Sequence, residues 1–463
     1  MFPLFSEVLI QKKLTSFVFP EDLSDRLQVI HKWLPTLQNA NETINIYEFL
    51  HDLFVDGLGY ASPFNDDHWE LELEPVTCLG FFGSGVIKPI VIIDYSGIID
   101  QQISLEDDSS ILWKIAINWQ YISLSAYQNS PIFKMGFRWQ DLLDFGTWQK
   151  FYLLMCRRTL LPRFTDTKSQ TQLLWEESQE VEIITLKQIY QQLSNVREHL
   201  LKDFRHRLSH LPNNQEVAFS LAMKLIGRML FIAYAIDRQF LPANLISDAY
   251  AFFNPYREQS AWDNYKAIFH WLYAGNSRLK SPLPIYTCSL FAPDPLLDEN
   301  LYVGDELCRQ LKEITKFNWC TEISSSIFNC LLELLLQSTK KRVYKYPSKY
   351  LLSASKVIDK LQTIDFTNLA NYIILDRQCQ VGTYLVTALN YLTDQARDPR
   401  ATAITLLKEC LWGIDPSPIG ILLTKLNLWL TGLVYTPPVA ELEVHICPKL
   451  DERQLIGKTV IEL

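Results

Sequence analysis

Paired cysteines, glycine, proline and long apolar runs are all in short supply in this 463-residue chain. The nine cysteines are scattered with no Cys-x-x-Cys pair, which argues against structural zinc and fits a reducing cytoplasm. With 16 glycines and 22 prolines, a collagen-like or linker-rich architecture is excluded. No uninterrupted apolar run reaches the roughly 18 residues that a membrane span needs. The nearest, Ile419 to Tyr435, carries Lys425 at its middle and reads as a buried helix, so no membrane partner is expected. The N-terminus, Met1-Phe2-Pro3-Leu4-Phe5-Ser6-Glu7, shows neither a basic leader nor a small-residue cleavage site, and a cytoplasmic location is the expectation. Basic residues are outnumbered, 43 Lys and Arg against 52 Asp and Glu, so contact with nucleic acid has to come from a local basic patch. What the chain does have is apolar residues: 48% hydrophobic against 21% charged, enough to bury large cores and to exclude disorder as its dominant state.

The hydrophobic pattern divides the chain in three. Residues 1–165 read as mixed α/β. Ile46, Phe49, Leu50, Leu53 and Phe54 fall at helical spacing, and Gly57 and Gly59 then break the helix. Trp69 to Glu74 alternates with period two, Pro89 to Tyr95 is a continuous apolar run suited to a central strand, and Phe133 to Trp139 is a third strand candidate. Residues 166–339 read as helical. Val217, Leu221, Leu225, Met229, Ile232 and Ile236 line one face of a helix whose next face, Ala222, Ile226, Leu230 and Ala233, is apolar too, so it belongs inside a domain. Residues 340–463 return to α/β: strands ending at Asp376 and Asp415 alternate with helices from Thr383 and Ile419, the pattern of a parallel sheet.

Two features bear chemistry. Between Lys340 and Lys360, seven basic residues (Lys340, Lys341, Arg342, Lys345, Lys349, Lys356 and Lys360) face one acid, Asp359, a local charge of +6. This is either a solvated linker or a phosphate-contacting segment at a domain boundary. The unit from Asn371 to Asp415 has the logic of a nucleoside-cofactor site, where a loop after one strand brings backbone near a ligand and an acid ending the next strand holds ribose hydroxyls. Asp376-Arg377-Gln378-Cys379-Gln380-Val381-Gly382-Thr383 occupies the loop position, and Asp415 the ribose position.

On these residues the chain resembles the adenine-specific DNA methyltransferases of single-chain type IIG restriction–modification enzymes. In that family the loop reads Asp-Pro-Ala-Cys-Gly-Ser-Gly-Thr-Phe-Leu-Val and cradles S-adenosylmethionine. Here Asp376, Cys379, Gly382, Thr383, Leu385 and Val386 are kept, while Arg377-Gln378 and Gln380-Val381 replace the Pro-Ala and Gly-Ser pairs. Trp412-Gly413-Ile414-Asp415-Pro416-Ser417-Pro418 followed by Leu423 to Leu430 is similar to the family's next element and is the closer match. Ile226 to Tyr234, Leu290 to Asp298 and Arg342 to Tyr350 are weaker likenesses to its helical-domain and Gly-x-Tyr-Tyr-Thr-Pro elements. The resemblance implies S-adenosylmethionine at Asp376, Gly382, Thr383 and Asp415, DNA against the basic segment, and a role in prokaryotic restriction–modification or phage defence.

Two absences temper the expected activity. The Asn-Pro-Pro-aromatic motif that holds a flipped adenine in this family occurs nowhere in the 463 residues. The family's nuclease needs an Asp and an acid-x-Lys on adjacent strands to hold magnesium, yet Asp94-Tyr95-Ser96 carries Ser where the Lys belongs, and no Asp lies in Pro75 to Gly85. His206 and His210, one turn apart, lack a nearby third ligand and read as exposed helix positions, so neither a metal nor a catalytic residue is assigned. The resulting expectation is an α/β plus α protein: a nuclease-like N-terminal domain, a helical middle domain and the first half of a Rossmann-like methyltransferase. It is expected to act as half of a split enzyme with a partner chain, or as a non-catalytic scaffold or DNA-sensing subunit. In such a sheet the strand ending at Asp376 has an open edge unless a partner, or the tail Thr459-Val460-Ile461-Glu462-Leu463, covers it.

Overall fold

A computed structural model gives the architecture. It describes all residues except 1, 39–43, 62–70, 75–78, 83–90, 96–111, 127–132, 163–166, 254–255, 257–258, 276–282, 287–288, 320–322, 324, 337–347, 363, 397, 437–443, 451–452 and 454–456. The chain divides into two compact units, Met1–Glu182 and Ile183–Leu463.

The first unit is built on a seven-stranded sheet in the order β1-β7-β6-β5-β4-β3-β2. Its strands are β1 (Phe2–Pro3), β2 (Leu71–Glu74), β3 (Leu79–Phe82), β4 (Val91–Tyr95), β5 (Trp113–Asn118), β6 (Tyr121–Ala126) and β7 (Phe133–Arg138). Period-two alternation sends Val91, Ile93, Tyr95, Trp113, Ile115, Ile117, Ile122 and Leu124 to one buried face. The opposite face at the centre carries Asp94, Lys114, Ser123 and Ser125, since Lys114 pairs in register with Ile92 and Ser125, and Ala116 with Asp94 and Ser123. Helices α1 (Glu7–Ser16), α2 (Gln28–Gln38), α3 (Ile46–His51) and α4 (Phe145–Met155) accompany the sheet, and α3 runs straight into a π-helical turn that ends at Gly57. The hairpin β5–β6, at the centre of the sheet, lies outside the three strands read from sequence.

In the second unit the helices α5 (Gln170–Arg207, its first turns in the other unit), α6 (Asn214–Asp237), α7 (Ala261–Ala274), α8 (Ser325–Leu336) and α9 (Ser348–Leu361) accompany a four-stranded, all-parallel sheet. That sheet runs β10-β9-β8-β11, with β8 (Tyr372–Asp376), β9 (Leu411–Ile414), β10 (His445–Cys447) and β11 (Thr459–Glu462). Between them lie α10 (Thr383–Gln395) and α11 (Pro418–Tyr435). One hydrophobic core runs from Leu186 to Ile446, so the helical segment and the parallel sheet share an interior. Both α6 and α11 are long and apolar enough to cross a membrane by length and composition, and 78% and 61% of their apolar windows are buried within the protein. Arg228, fully buried on α6, is held by Leu290 O at 2.9 Å, Ala292 O at 3.1 Å and both oxygens of Asp298 at 2.6 and 3.3 Å, with the Phe269 ring beneath it. Its positive charge thus lies among the acceptors that a buried guanidinium requires.

The edge of β8 is not open. Thr459 to Glu462 pair in parallel register with Tyr372 to Leu375, and the Leu463 N–H donates to Leu375 O at 2.8 Å. Glu462 on this strand accepts from Arg377 Nε and Nη2 at 2.9 and 2.6 Å, and Lys360 Nζ donates to its backbone oxygen. Tail coverage was one of the alternatives open in the sequence. It removes the unpaired β8 edge as a reason to expect a partner there, because the tail satisfies those backbone groups.

Candidate functional site

The loop between β8 and α10 is fixed from two sides. From the sheet side, Ile414 O accepts the Cys379 N–H at 3.0 Å, Asp415 Oδ2 accepts the Gln380 N–H at 2.9 Å, and Thr424 Oγ1 donates to Gln380 O at 3.0 Å. Asn427 Nδ2 donates to Val381 O at 2.7 Å. Within the loop, Asp376 Oδ1 accepts from Gln378 N–H and Cys379 O from Gly382 N–H. From the helical side, α8 contributes Asn329, whose Oδ1 accepts from Asn427, and Glu333, whose Oε1 accepts from Thr383 Oγ1 at 3.4 Å. The resemblance had pointed to Asp376, Gly382, Thr383 and Asp415; the structure brings all four to this loop.

Backbone geometry explains the residue types. Gly382 has φ +80°, and a Cβ there would lie 2.8 Å from Thr424 Cγ2, so both conformation and space call for glycine. Gln380, where the family has glycine, keeps a left-handed conformation at φ +50° despite its side chain. For a residue with a Cβ this conformation costs on the order of 1 kcal/mol.

Asp415 does more than end a strand. Its Oδ1 accepts from Ser417 N–H at 2.8 Å while Oδ2 holds the loop, and a Cβ on Gly420 would come within 2.5 Å of the carboxylate. The acid is thus seated in the first turn of α11, where the helix dipole favours negative charge. Each oxygen accepts one N–H and keeps a lone pair for a further donor. Asp376 is buried as well; burial pushes its carboxyl above the usual range, the Gln378 N–H partly offsets this, and nearby Asp415 adds to the rise. Burial pushes the Cys379 thiol up to about 12, so it packs as a small apolar group and not as a nucleophile. Two carboxylates and a left-handed glycine at a helix start can accept from a ligand that brings hydroxyl or ammonium donors and approaches the backbone closely.

The remaining sequence candidates are placed as follows. Lys340, Lys341, Arg342 and Lys345 lie outside the described residues, and Lys349 lies in the first turn of α9. Ser96 is outside the described residues too. Asp94, on β4, pairs with Lys114 of the neighbouring strand at 2.7 Å. A lysine does therefore stand beside this acid, delivered by a strand and not by local x-Lys spacing. His206 and His210 are both exposed. A cluster that sequence reading missed, His51, Asp52 and Asp56, brings three potential metal ligands together, but Asp52 already accepts from Lys32 Nζ at 2.7 Å and Trp33 Nε1 at 2.8 Å. Asn329 and Glu333 were missed as well, since nothing local to α8 marks them.

No protein-family profile matches the chain, and no curated protein matches it. Among solved structures it is similar to the type IIL restriction–modification enzyme MmeI in complex with DNA, with TM-score 0.40 and 14% identity over 58% of this chain and 41% of that one. It is similar also to DrdV in its DNA complex, with TM-score 0.31 and 11% identity over 91% and 40% of the two chains. A third likeness is the type IIG restriction endonuclease BpuSI, with TM-score 0.30 and 10% identity over 92% and 43%. The chain spans less than half the length of each of the three.

Proposed function

We propose that this chain is an adenine-specific DNA methyltransferase-like component of a restriction–modification or phage-defence system, and that its cofactor is S-adenosylmethionine, held at the β8–α10 loop. One observation carries the reading: the loop keeps the left-handed turn at Gly382 and draws Asp376 and Asp415 to one place, as the sequence resemblance requires. When bound, the cofactor supplies an electrophilic methyl group. The protein's part is to orient it: Asp415 offers its remaining lone pairs to ribose hydroxyls, Asp376 shapes the loop, and the Thr383 end of α10 presents first-turn N–H groups. These 463 residues contain no Asn-Pro-Pro-aromatic motif, so transfer to adenine draws on groups from another polypeptide segment, and the chain by itself is not expected to methylate. The basic segment from Lys340 to Lys349 is the proposed DNA contact.

A second reading is favoured by Asp415 itself. Both of its oxygens already hold backbone N–H groups of its own chain, which suits a strut that stabilises a non-catalytic scaffold or DNA-sensing subunit. Calorimetry of the purified chain with S-adenosylhomocysteine separates the two. The cofactor reading expects saturable heat, lost in Asp415→Ala while Asp415→Asn retains the fold; no heat from the wild-type chain at millimolar ligand leaves the strut reading.

A further inference from the structure

Helix α8 places Glu333 against the Thr383 end of the loop and Asn329, one turn earlier, against Asn427 of α11, while its neighbours Phe328, Leu331, Leu332 and Leu335 are buried in the core. Placing a carboxylate beside such a face is costly unless donors compensate it. Among the described residues Glu333 has one long hydrogen bond, 3.4 Å from the neutral Thr383 hydroxyl, together with the positive end of α10, which begins at that residue. The other carboxylate oxygen accepts no hydrogen bond from the described residues and can take a cationic donor. A second, independent sign is Asn329: its side chain is fully buried, and its Nδ2 has no hydrogen-bond partner among the described residues, although such a group ordinarily finds one. A half-exposed carboxylate and a buried amide with an unpartnered Nδ2 therefore stand one turn apart on α8, near the Thr383 end of the loop.

The other end of the loop belongs to Asp415, which holds the Gln380 N–H three residues before Thr383. S-adenosylmethionine has a matching asymmetry, neutral hydroxyl donors on its ribose and an ammonium on its amino-acid end. With Asp415 taking the ribose, the Thr383 end of the loop faces the amino acid. We propose that Glu333, reaching in from the helical segment, binds the α-ammonium of the cofactor and selects for ligands that carry an intact amino-acid moiety. This rests on the S-adenosylmethionine reading of the loop.

The test compares two ligands on the full chain by calorimetry: S-adenosylhomocysteine, which has the amino-acid end, and 5′-methylthioadenosine, which lacks it. Glu333→Gln should weaken S-adenosylhomocysteine at least tenfold and leave 5′-methylthioadenosine within twofold of wild type. Equal weakening of both ligands makes Glu333 a structural support of the loop, and unchanged S-adenosylhomocysteine affinity removes it from the site; either overturns the inference while the cofactor reading stands. Wild-type protein that binds neither ligand overturns the cofactor reading, and this inference with it. Should Glu333→Gln fail to fold, Glu333→Asp, which keeps the charge but withdraws it by one methylene, carries the same comparison with the same expected selectivity.

Discussion

Replacing Gly382 by alanine asks whether the loop is as tightly determined as its geometry implies. The new methyl would stand 2.8 Å from Thr424 Cγ2 and 3.3 Å from Thr424 Cα, and the second of these is backbone, which cannot swing aside. Overpacking of this kind costs about 1–3 kcal/mol. The left-handed conformation at φ +80° adds roughly 1–2 kcal/mol for a residue with a Cβ. Lower entropy of the unfolded chain returns about 0.4–1 kcal/mol. The net expectation is a loss of about 1–5 kcal/mol, or roughly 2–15 °C in melting temperature for a unit of this size. Thr424→Ser removes the closer clash while retaining the hydroxyl that donates to Gln380 O, so Gly382→Ala/Thr424→Ser should recover part of the steric term and leave the torsional one. Gln380→Gly is the control of opposite sign: it relieves a left-handed residue with no clash to offset, and stability should stay within about 1 kcal/mol of wild type, on the favourable side. Thermal melting of the four proteins decides the matter. An alanine at 382 that leaves the midpoint unmoved would refute the claim that this turn needs glycine.

Four further outcomes are expected. Arg228→Met should cost about 3–5 kcal/mol by leaving Asp298 and two carbonyls without their buried donor, and adding Asp298→Asn should restore part of this in urea unfolding; equal instability of single and double variants would argue against the ion pair as the cause. Because the Asp376 carboxyl is held above its ordinary value, the folded state binds the proton more tightly than the unfolded one, so stability falls as pH rises from the ordinary carboxylate value through the folded one. Asp376→Asn should therefore melt higher than wild type at neutral pH and show no such gain in acid, and a gain that ignores pH would point to a different origin. Replacing Lys340, Lys341 and Arg342 by Gln should weaken DNA binding and lower its salt slope by about two to three, since each phosphate contact contributes about 0.9; an unchanged slope returns the segment to a solvated linker. Removing residues 459–463 should raise hydrogen exchange at Tyr372 to Leu375, and protection that survives the deletion would mean that β11 is not what covers the edge.

Much of this was legible in the sequence, and what was not rests mostly on partners far apart along the chain. The strand ending at Asp376, the helix from Thr383 and the second strand and helix pair stand where period and turn chemistry put them, because each is set by residues near in sequence. The hairpin from Trp113 to Ala126 lies outside the strands read from sequence although its signal is local: Trp113, Ile115 and Ile117 alternate with Lys114, Ala116 and Asn118 as a half-buried strand should. The pairing of Asp94 with Lys114 was not legible from local spacing, since the lysine arrives across a parallel strand pair. Asn329 and Glu333 stand 98 and 50 residues from their partners Asn427 and Thr383, a separation that no local pattern encodes.

The way the loop is held limits how it can recognise anything. The N–H groups of Cys379, Gln380 and Gly382 and the carbonyls of Cys379, Gln380 and Val381 are all engaged by the chain itself. A loop so fixed has met its ordering cost at the folding step, so a ligand binding there loses little to conformational entropy. The same bonds leave few main-chain groups to read a ligand's polar atoms. On the proposed cofactor reading, discrimination falls to the carboxylates beside the loop: Asp376 and Asp415 from the ends of two parallel strands, and Glu333 from α8. Asp376 feels the charge of nearby Asp415, and together with burial this raises the proton affinity of Asp376. A ligand that brings hydroxyl donors and a cation relieves this repulsion, whereas an anion such as a bare phosphate adds to it. On the proposed cofactor reading, this charge pattern favours a nucleoside bearing an amino group over a nucleotide.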